Sequence, residues 1–158
     1  MWTKDKIMVL PELLAQVAAW KAAGEKIVFT NGCFDLLHLG HVDYLEKASH
    51  LGQRLVVGLN TDASVSCLKP GRPLQDEVSR ARVLASLLFV DAVVLFGEQT
   101  PLTLIEAIQP DILVKGDDYQ ISGIVGHEVV LSKGGQVLTV PLVAGYSTSA
   151  IVAKARQL

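Results

Sequence analysis

Two histidines, His38 and His41, are spaced to act on one ligand, since they flank Gly40 in the run KIVFTNGCFDLLHLGH. This run begins with the apolar residues of a strand and passes through a turn at Asn31-Gly32. If a helix continues after Gly40, the histidines lie about one turn apart at its N-terminus, where free N–H groups and the helix dipole favour an anion. The segment therefore predicts a phosphate site.

The elements that must position these histidines alternate strictly between strand and helix. Short apolar runs predict strands at 27–29, 54–60, 92–96, 111–115 and 136–141. Helical spacing of apolar residues predicts helices at 11–23, 40–52, 77–89, 102–108, 124–132 and 150–158. With short connections and right-handed crossovers, this order predicts a single α/β domain, a Rossmann-like, doubly wound parallel sheet of about five strands.

Polar clusters follow the predicted strands at their carboxyl ends, where ligands bind in such sheets. The four clusters are Thr30 to His41, Asn60 to Asp62, Lys115 to Tyr119 and Tyr146 to Ser149. One pocket could collect them all, and Ser147 caps a final helix with a second anion-receptive N-terminus. Residues 64–76 hold two prolines and a glycine, so they are predicted to form a mobile basic loop.

Composition and missing motifs exclude several classes of protein. The chain has 158 residues, half of them hydrophobic, and a net charge of −2 with no basic cluster, so no nucleic-acid surface is expected. Neither a signal peptide nor a membrane span is visible, which predicts a cytoplasmic protein without a membrane partner. Cys33 and Cys67 form no CxxC pair, and we expect reduced thiols and no metal held by the protein. No GxGxxG, GxxxxGK[ST], GxSxG or HExxH motif occurs, which disfavours dehydrogenases, kinases, hydrolases and metalloproteases.

The segment HLGH resembles the HxGH signature of a nucleotidyltransferase superfamily, and its surroundings, TNGCFDLLHLGHVDYL, resemble the cytidylyltransferase-like branch. Further segments fall in register with heptose-1-phosphate adenylyltransferases. They are Gly71-Arg72-Pro73, Arg80, Val90-Asp91, Thr100-Pro101, Pro110-Asp111, 113–116, Tyr119, 124–126, Gly134-Gly135 and Ser147-Thr148. The resemblance covers about residues 25–157, so we expect an N-terminal helical segment at 1–24 and a nucleotidyltransferase domain at 25–158, packed as one domain.

The resemblance implies transfer of AMP from ATP to D-glycero-D-manno-heptose 1-phosphate, which gives pyrophosphate and ADP-heptose for lipopolysaccharide or a related surface glycan. Mg²⁺ would bridge triphosphate oxygens and be held largely by substrate and water. Proteins of this family are often fused to a sugar kinase; this sequence resembles the free-standing form, which implies a separate heptose kinase. The resemblance and the apolar composition favour a homodimer.

The resemblance also implies roles for individual residues. The expected catalytic residues are His38, His41 and Lys115, which would neutralise phosphate charge. The expected nucleotide-binding residues are Thr30, Asn31, Gly32, Phe34, Gly40, Asn60, Asp62, Gly116, Asp118, Ser147 and Thr148. The expected acceptor-binding residues are Asp35, Lys69, Arg72, Arg80 and Tyr119.

Several alternatives remain open from the residues alone. Asn31 and Asp35 could be plain turn residues, and the cations Lys69, Arg72 and Arg80 could be solvated surface charge. The segment Lys115-Gly116-Asp117-Asp118-Tyr119 has Asp117 where the family usually has glycine, which brings it closer to glycerol-3-phosphate cytidylyltransferases. A cytidylyltransferase acting on a polyol or alcohol phosphate is therefore the alternative enzyme. A non-catalytic nucleotide-binding module that regulates a kinase is the alternative outside enzymes.

Overall fold

A parallel sheet of five strands forms the centre of the molecule in the computed structural model, which describes residues 2–157. Met1 and Leu158, which belong to the predicted N-terminal segment and final helix, lie outside the described residues. The strands are β1 (Ile27–Gly32), β2 (Arg54–Asn60), β3 (Ala92–Phe96), β4 (Ile112–Gly116) and β5 (Gln136–Val140). The helices are α1 (Leu10–Ala22), α2 (Leu39–Ser49), α3 (Asp62–Leu68), α4 (Glu77–Ser86), α5 (Leu102–Ile108), α6 (His127–Ser132) and α7 (Thr148–Ala155).

The strand order is β3-β2-β1-β4-β5, and every neighbouring pair is parallel. The chain therefore runs from β1 outward to β3, returns to the other side of β1, and continues outward to β5. The predicted α/β class and doubly wound parallel sheet are confirmed. The direction of winding reverses between β1 and β4, and this is the position where sheets of this kind bind ligands.

Both faces of the sheet are buried, which explains why its strands are apolar without alternation. On one face, Val28 of β1 packs in a cluster with Leu45 of α2 and residues of α4. On the other face, Phe29 packs with Leu13 of α1 and Ile105 of α5. All five named side chains are fully buried, and each such burial contributes about 1.5–3 kcal/mol to folding. The two faces together fix the strand ends that carry the polar clusters.

The N-terminal segment packs against the same domain. Residues Thr3–Lys6 form a 3-10 helix, and Ile7 makes a parallel bridge to Val93 of β3. Leu13 and Val17 of α1 belong to the buried core. No helix among residues 2–157 is long and apolar enough to cross a membrane.

The predicted basic loop at 64–76 is wrong in its first half, because residues Asp62–Leu68 form α3. Thr61 caps this helix by accepting a hydrogen bond from the Ser64 N–H, and Val65 is fully buried. The irregular segment is therefore Lys69–Asp76, which we call the basic loop from here on. The helix predicted at 124–132 begins later, at His127, after a 3-10 turn at Ile121–Gly123.

Candidate active site

A cavity of about 800 Å³ opens where β1 and β4 end, and its size is within the range of small-molecule sites. Most of the predicted site residues line it. These are Asn31, Gly32, Phe34, Asp35, His38, Gly40, His41, Lys69, Arg72, Lys115, Gly116, Asp118, Tyr119, Ser147 and Thr148. The structure thus brings together three of the four predicted polar clusters and the basic loop, while the cluster Asn60 to Asp62 does not line the cavity.

Four predicted site residues, all in the described part of the chain, lie outside this cavity: Thr30, Asn60, Asp62 and Arg80. Thr30 is fully buried. The Asn60 side-chain amide donates a hydrogen bond to Ser64 Oγ over 2.9 Å. Asp62 is partly exposed and pairs with Arg80. The side chains of all four residues therefore contact other parts of the protein, and none of them lines the cavity.

Arg80, a cation predicted to bind the acceptor, instead makes hydrogen bonds to other parts of the protein. Its guanidinium is buried and donates to the Cys33 carbonyl at 2.7 Å, to Asp62 Oδ1 at 2.7 Å and to the Gln75 carbonyl at 3.1 Å. It therefore joins the loop after β1, the first turn of α3 and the end of the basic loop. The alternative in which Arg80 is solvated surface charge is wrong, since only 1% of the residue is exposed.

The two histidines stack on each other at the start of α2. His38 is the N-cap residue, with extended backbone, and the His41 N–H donates to the His38 carbonyl over 2.9 Å. Their ring centroids lie 3.9 Å apart, and the Phe34 ring meets His41 edge-on at 5.3 Å. A Cβ on Gly40 would come within 3.1 Å of the His38 ring. Glycine at this position thus leaves room for the stacked pair.

Both imidazoles are neutral at pH 7. Burial and the neighbouring His38 lower the pKa of His41 to about 4, and burial also lowers the pKa of His38. A neutral imidazole carries one N–H donor and one acceptor nitrogen. Within residues 2–157, His38 Nδ1 is buried and has no hydrogen-bond partner, so the pair retains hydrogen-bonding capacity for a ligand.

Lys115, at the end of β4, supplies a cation to the cavity. Its ammonium donates to the Asn31 carbonyl over 2.9 Å and lies 5.7 Å from the centre of the Tyr119 ring. Burial lowers its pKa to about 8, although the carboxylate of Asp118 opposes this shift. Lys115 is therefore mostly protonated at pH 7, and the Asn31 carbonyl takes only one of its three donors.

Asp35 fastens the basic loop to the rest of the site. Its buried carboxylate accepts from Arg72 Nη1 at 2.9 Å, from the Leu74 N–H at 2.9 Å and from the Gln75 N–H at 3.0 Å. Burial alone would raise the pKa of Asp35, but these donors hold it below its usual range. The charge of Arg72 is therefore balanced by Asp35, and Lys69 is the cation of this loop that is exposed.

The last helix approaches the histidines from the other side. Ser147 Oγ caps α7 by accepting from the Ala150 N–H at 3.1 Å, and Thr148 Oγ1 donates to the Leu36 carbonyl at 3.4 Å. The N-terminus of α7 therefore joins the loop that precedes His38. The predicted capping role of Ser147 is confirmed.

Asp117, the residue that departs from the family pattern, makes hydrogen bonds to the backbone of the segment around the end of β5. Its N–H donates to the Val140 carbonyl at 3.0 Å, and its Oδ1 accepts from the Leu142 N–H at 3.3 Å. The carboxylate thus ties the exit of β4 to the exit of β5, and Asp117 is not among the described residues that line the cavity.

Cys33, Tyr146 and Ser149 line the cavity as members of the predicted polar clusters, although no role was assigned to them. Other lining residues were not assigned to the site from the sequence: Tyr44, Val65, Leu68, Pro70, Leu142 and Val143. The sequence contained an indication that Tyr44 lies near the site, because it is three residues after His41 and so shares its face of the helix. For the residues between β5 and α7 the indication was weaker, since it was only that they follow a strand end. Val65 and Leu68 could not be found while α3 was taken for a loop.

No group of three or more His, Cys, Asp or Glu side chains among residues 2–157 is arranged to hold a metal ion. Two carboxylates line the cavity, Asp35 and Asp118. Since Asp35 is engaged by the basic loop, Asp118 is the carboxylate left to face a ligand. Cys33 and Cys67 are both free thiols.

Comparison with known proteins shows the family of this chain. The family described as cytidylyltransferase-like matches residues 29–154. The chain is 61% identical to the "Bifunctional protein HldE" of Azorhizobium caulinodans over 143 residues, 90% of this chain and 30% of that protein. It is 61% identical to the protein of the same name from Magnetococcus marinus over 149 residues, 94% of this chain and 31% of that protein. The chain thus spans less than a third of the length of these relatives.

Two solved structures resemble the fold. One is the lipopolysaccharide core biosynthesis protein from Thermoplasma volcanium, which is 31% identical with a TM-score of 0.60, over 76% of this chain and 98% of that one. The other is pantothenate synthetase from Thermus thermophilus, at 21% identity and a TM-score of 0.51, over 80% of this chain and 60% of that one, and it shows the fold alone. With the family match extending over most of the sequence and including the stacked histidines, the chain belongs to the cytidylyltransferase-like family.

Proposed function

We propose that this chain transfers AMP from ATP to D-glycero-D-manno-heptose 1-phosphate, giving ADP-heptose and pyrophosphate. The observation that carries the proposal is the stacked, neutral pair His38 and His41, which shares one cavity with Lys115 at the reversal point of the sheet. The register with heptose-1-phosphate adenylyltransferases supports ATP and a heptose phosphate as substrates. The word "bifunctional" in the names of the relatives agrees with a family in which a kinase is often fused to this domain.

The reaction needs no nucleophile from the protein. A phosphate oxygen of the acceptor attacks the α-phosphorus of ATP, the bond from that phosphorus to the bridging oxygen breaks, and pyrophosphate leaves with the electron pair. Positioning and neutralisation of the developing charge then supply most of the catalysis. The cavity offers donors and cations for both tasks.

The histidines are placed to act on the α-phosphate and the leaving group. Each neutral ring donates one hydrogen bond, and removal of one such transition-state donor costs about 10²–10³ in kcat, or about 2.7–4 kcal/mol. Lys115 adds a positive charge from the end of β4, and the N-terminus of α7 adds free N–H groups beside Thr148. These groups converge from three elements of the fold.

The acceptor side is assigned to the basic loop and to Tyr119. Lys69 is exposed at the cavity and suits an acceptor phosphate, while Arg72 stays paired with Asp35. Mg²⁺ would enter as a substrate-bound ion and supply charge to the triphosphate, and Asp118 is the lining carboxylate that could help to hold it. The cytoplasmic location, the homodimer and a separate heptose kinase stay predictions.

The test is a grid of nucleoside triphosphates against phosphorylated acceptors with Mg²⁺, read by pyrophosphate release. We expect turnover with ATP and D-glycero-D-manno-heptose 1-phosphate. Turnover with CTP and glycerol 3-phosphate, but not with the expected pair, would replace the proposal by the alternative enzyme. Tight nucleotide binding without turnover in any combination would favour the regulatory module.

A further inference from the structure

The central strands of the sheet separate at the cavity. β1 pairs with β2 along its whole length, from Ile27 to Gly32. With β4 it pairs at Val28–Ile112 and Phe29–Leu113, and the described strands show no further ladder pairing although both continue beyond these residues. Continuation of this register would next pair Thr30 with Val114. The chain therefore leaves a gap between β1 and β4 at the end where the site lies.

A single hydroxyl bridges the first missing pair. Tyr44 Oη donates to the Val114 carbonyl over 3.0 Å and lies 2.6 Å from Thr30 Oγ1. Since the phenol has one proton, which it gives to Val114, the hydroxyl of Thr30 must be the donor to Tyr44. Burial raises the pKa of Tyr44, which keeps the phenol protonated. The bridge thus has one defined direction, from Thr30 through Tyr44 to Val114.

The next missing pair, Asn31 and Lys115, is bridged by the lysine side chain itself, whose ammonium donates to the Asn31 carbonyl. Two successive rungs of the ladder are therefore replaced by side-chain links, one from α2 and one from β4. Because Tyr44 lies three residues after His41, one helix face carries both the histidine and the bridge. The bridge connects the helix of the histidines to the strand of the lysine.

We propose that Tyr44 is a positioning residue: its hydroxyl sets the separation of β1 and β4 and so fixes Lys115 relative to His41. Both partners of the hydroxyl are buried, and Thr30 is fully so. A buried hydrogen-bonded network of this kind holds one geometry because each lost bond leaves an unpaired group. Thr30, predicted to bind nucleotide, acts here as the donor that completes the bridge.

The variant Tyr44→Phe tests this role, because it keeps the ring and removes only the hydroxyl. We expect kcat to fall at least about tenfold, since small displacements of catalytic groups are costly. We also expect water to reach the ammonium of Lys115, so that its pKa rises from its lowered value. The charged and titratable groups that face Lys115 are Asp118, Cys33 and Tyr119, and none of them is changed by the substitution.

The role of Tyr44 is tested by two measurements, kcat and the pKa of Lys115. Only the measurement of kcat rests on the proposed function. The pKa of Lys115 can be measured by NMR of the labelled lysine side chain in the free protein, without any substrate. Absence of turnover in the wild type would overturn the proposed function, while the NMR shift would still decide the role of Tyr44. An unchanged Lys115 pKa and unchanged kcat in Tyr44→Phe would overturn the positioning role.

Thr30→Val removes the bond from Thr30 to Tyr44 and leaves the bond from Tyr44 to Val114, so it also breaks the bridge between β1 and β4 and has expected effects of the same direction. The double variant should be little worse than Tyr44→Phe alone, because that variant already lacks both bonds of the bridge. Val17→Ala, in α1 on the opposite face of the sheet, lowers stability without touching the cavity; its kcat and Lys115 pKa should equal those of the wild type. If Tyr44→Phe does not fold, the same measurements on Thr30→Val decide, and wild-type values there would overturn the proposal.

Discussion

Replacement of His41 by alanine should separate catalysis from stability. The ring stacks on His38 and meets Phe34, but it lies at an open cavity, so its removal creates no closed void. We therefore expect the free energy of unfolding to fall by less than about 1 kcal/mol, which is a shift in Tm of about 2–4 °C. Loss of one transition-state donor should lower kcat by about 10²–10³.

The assay is steady-state pyrophosphate release with saturating ATP and heptose phosphate, accompanied by thermal unfolding of each variant. His50→Ala provides a matched control, since His50 is an exposed histidine at the other end of the same helix. The control should keep the wild-type kcat. A His41→Ala enzyme with kcat within threefold of the wild type, or with a loss equal to that of His50→Ala, would refute the assigned role.

Three further outcomes are expected. Lys69→Ala should raise the acceptor KM severalfold and leave kcat nearly unchanged in initial-rate measurements, because Lys69 lies exposed at the cavity. An unchanged KM would show that Lys69 is surface charge. Since the pKa of Lys115 is lowered to about 8, its ammonium loses its proton above that pH, and kcat/KM should fall as pH rises above about 8. Lys115→Arg should move this fall in kcat/KM to higher pH. A fall at the same pH in that variant would contradict the role assigned to Lys115. Because the folded pKa of His41 is about 4 and lies below that of the unfolded chain, stability should decrease as pH falls from about 6.5 towards 4. Denaturant titrations should show a smaller decrease in His41→Ala, and an equal decrease would contradict the burial of that ring.

The strands and most helices could be predicted because their signals are local. The bounds of β2, β3 and α5 agree with the sequence to the residue, since each is an apolar or periodic run between glycine, proline or polar residues. Helix α3 was missed because its seven residues, DASVSCL, are too few to show a clear helical period and precede a loop rich in proline and glycine. Its cap at Thr61 was the available signal.

The sequence shows which strand end each polar residue follows. It shows less well whether that residue faces the cavity. Register along a strand places a residue at the correct edge, and this was enough for Lys115, His38 and His41. It does not say whether a cation is met by a carboxylate from a distant segment. Arg80 of α4 and Asp62 of α3 are eighteen residues apart in sequence and pair at 2.7 Å, a contact between two elements that local sequence patterns do not indicate.

Charge pairing explains how this cavity can receive a highly anionic substrate without being strongly basic when empty. Arg72 is balanced by Asp35 and Arg80 by Asp62, while both histidines are neutral because burial lowers their pKa values. The cations that remain at the cavity are Lys69 and Lys115. The neutral histidines contribute N–H donors to a ligand without adding charge of their own. The empty site therefore keeps little unpaired positive charge in its partly buried cleft, and the two lysines supply the charge that meets the phosphates.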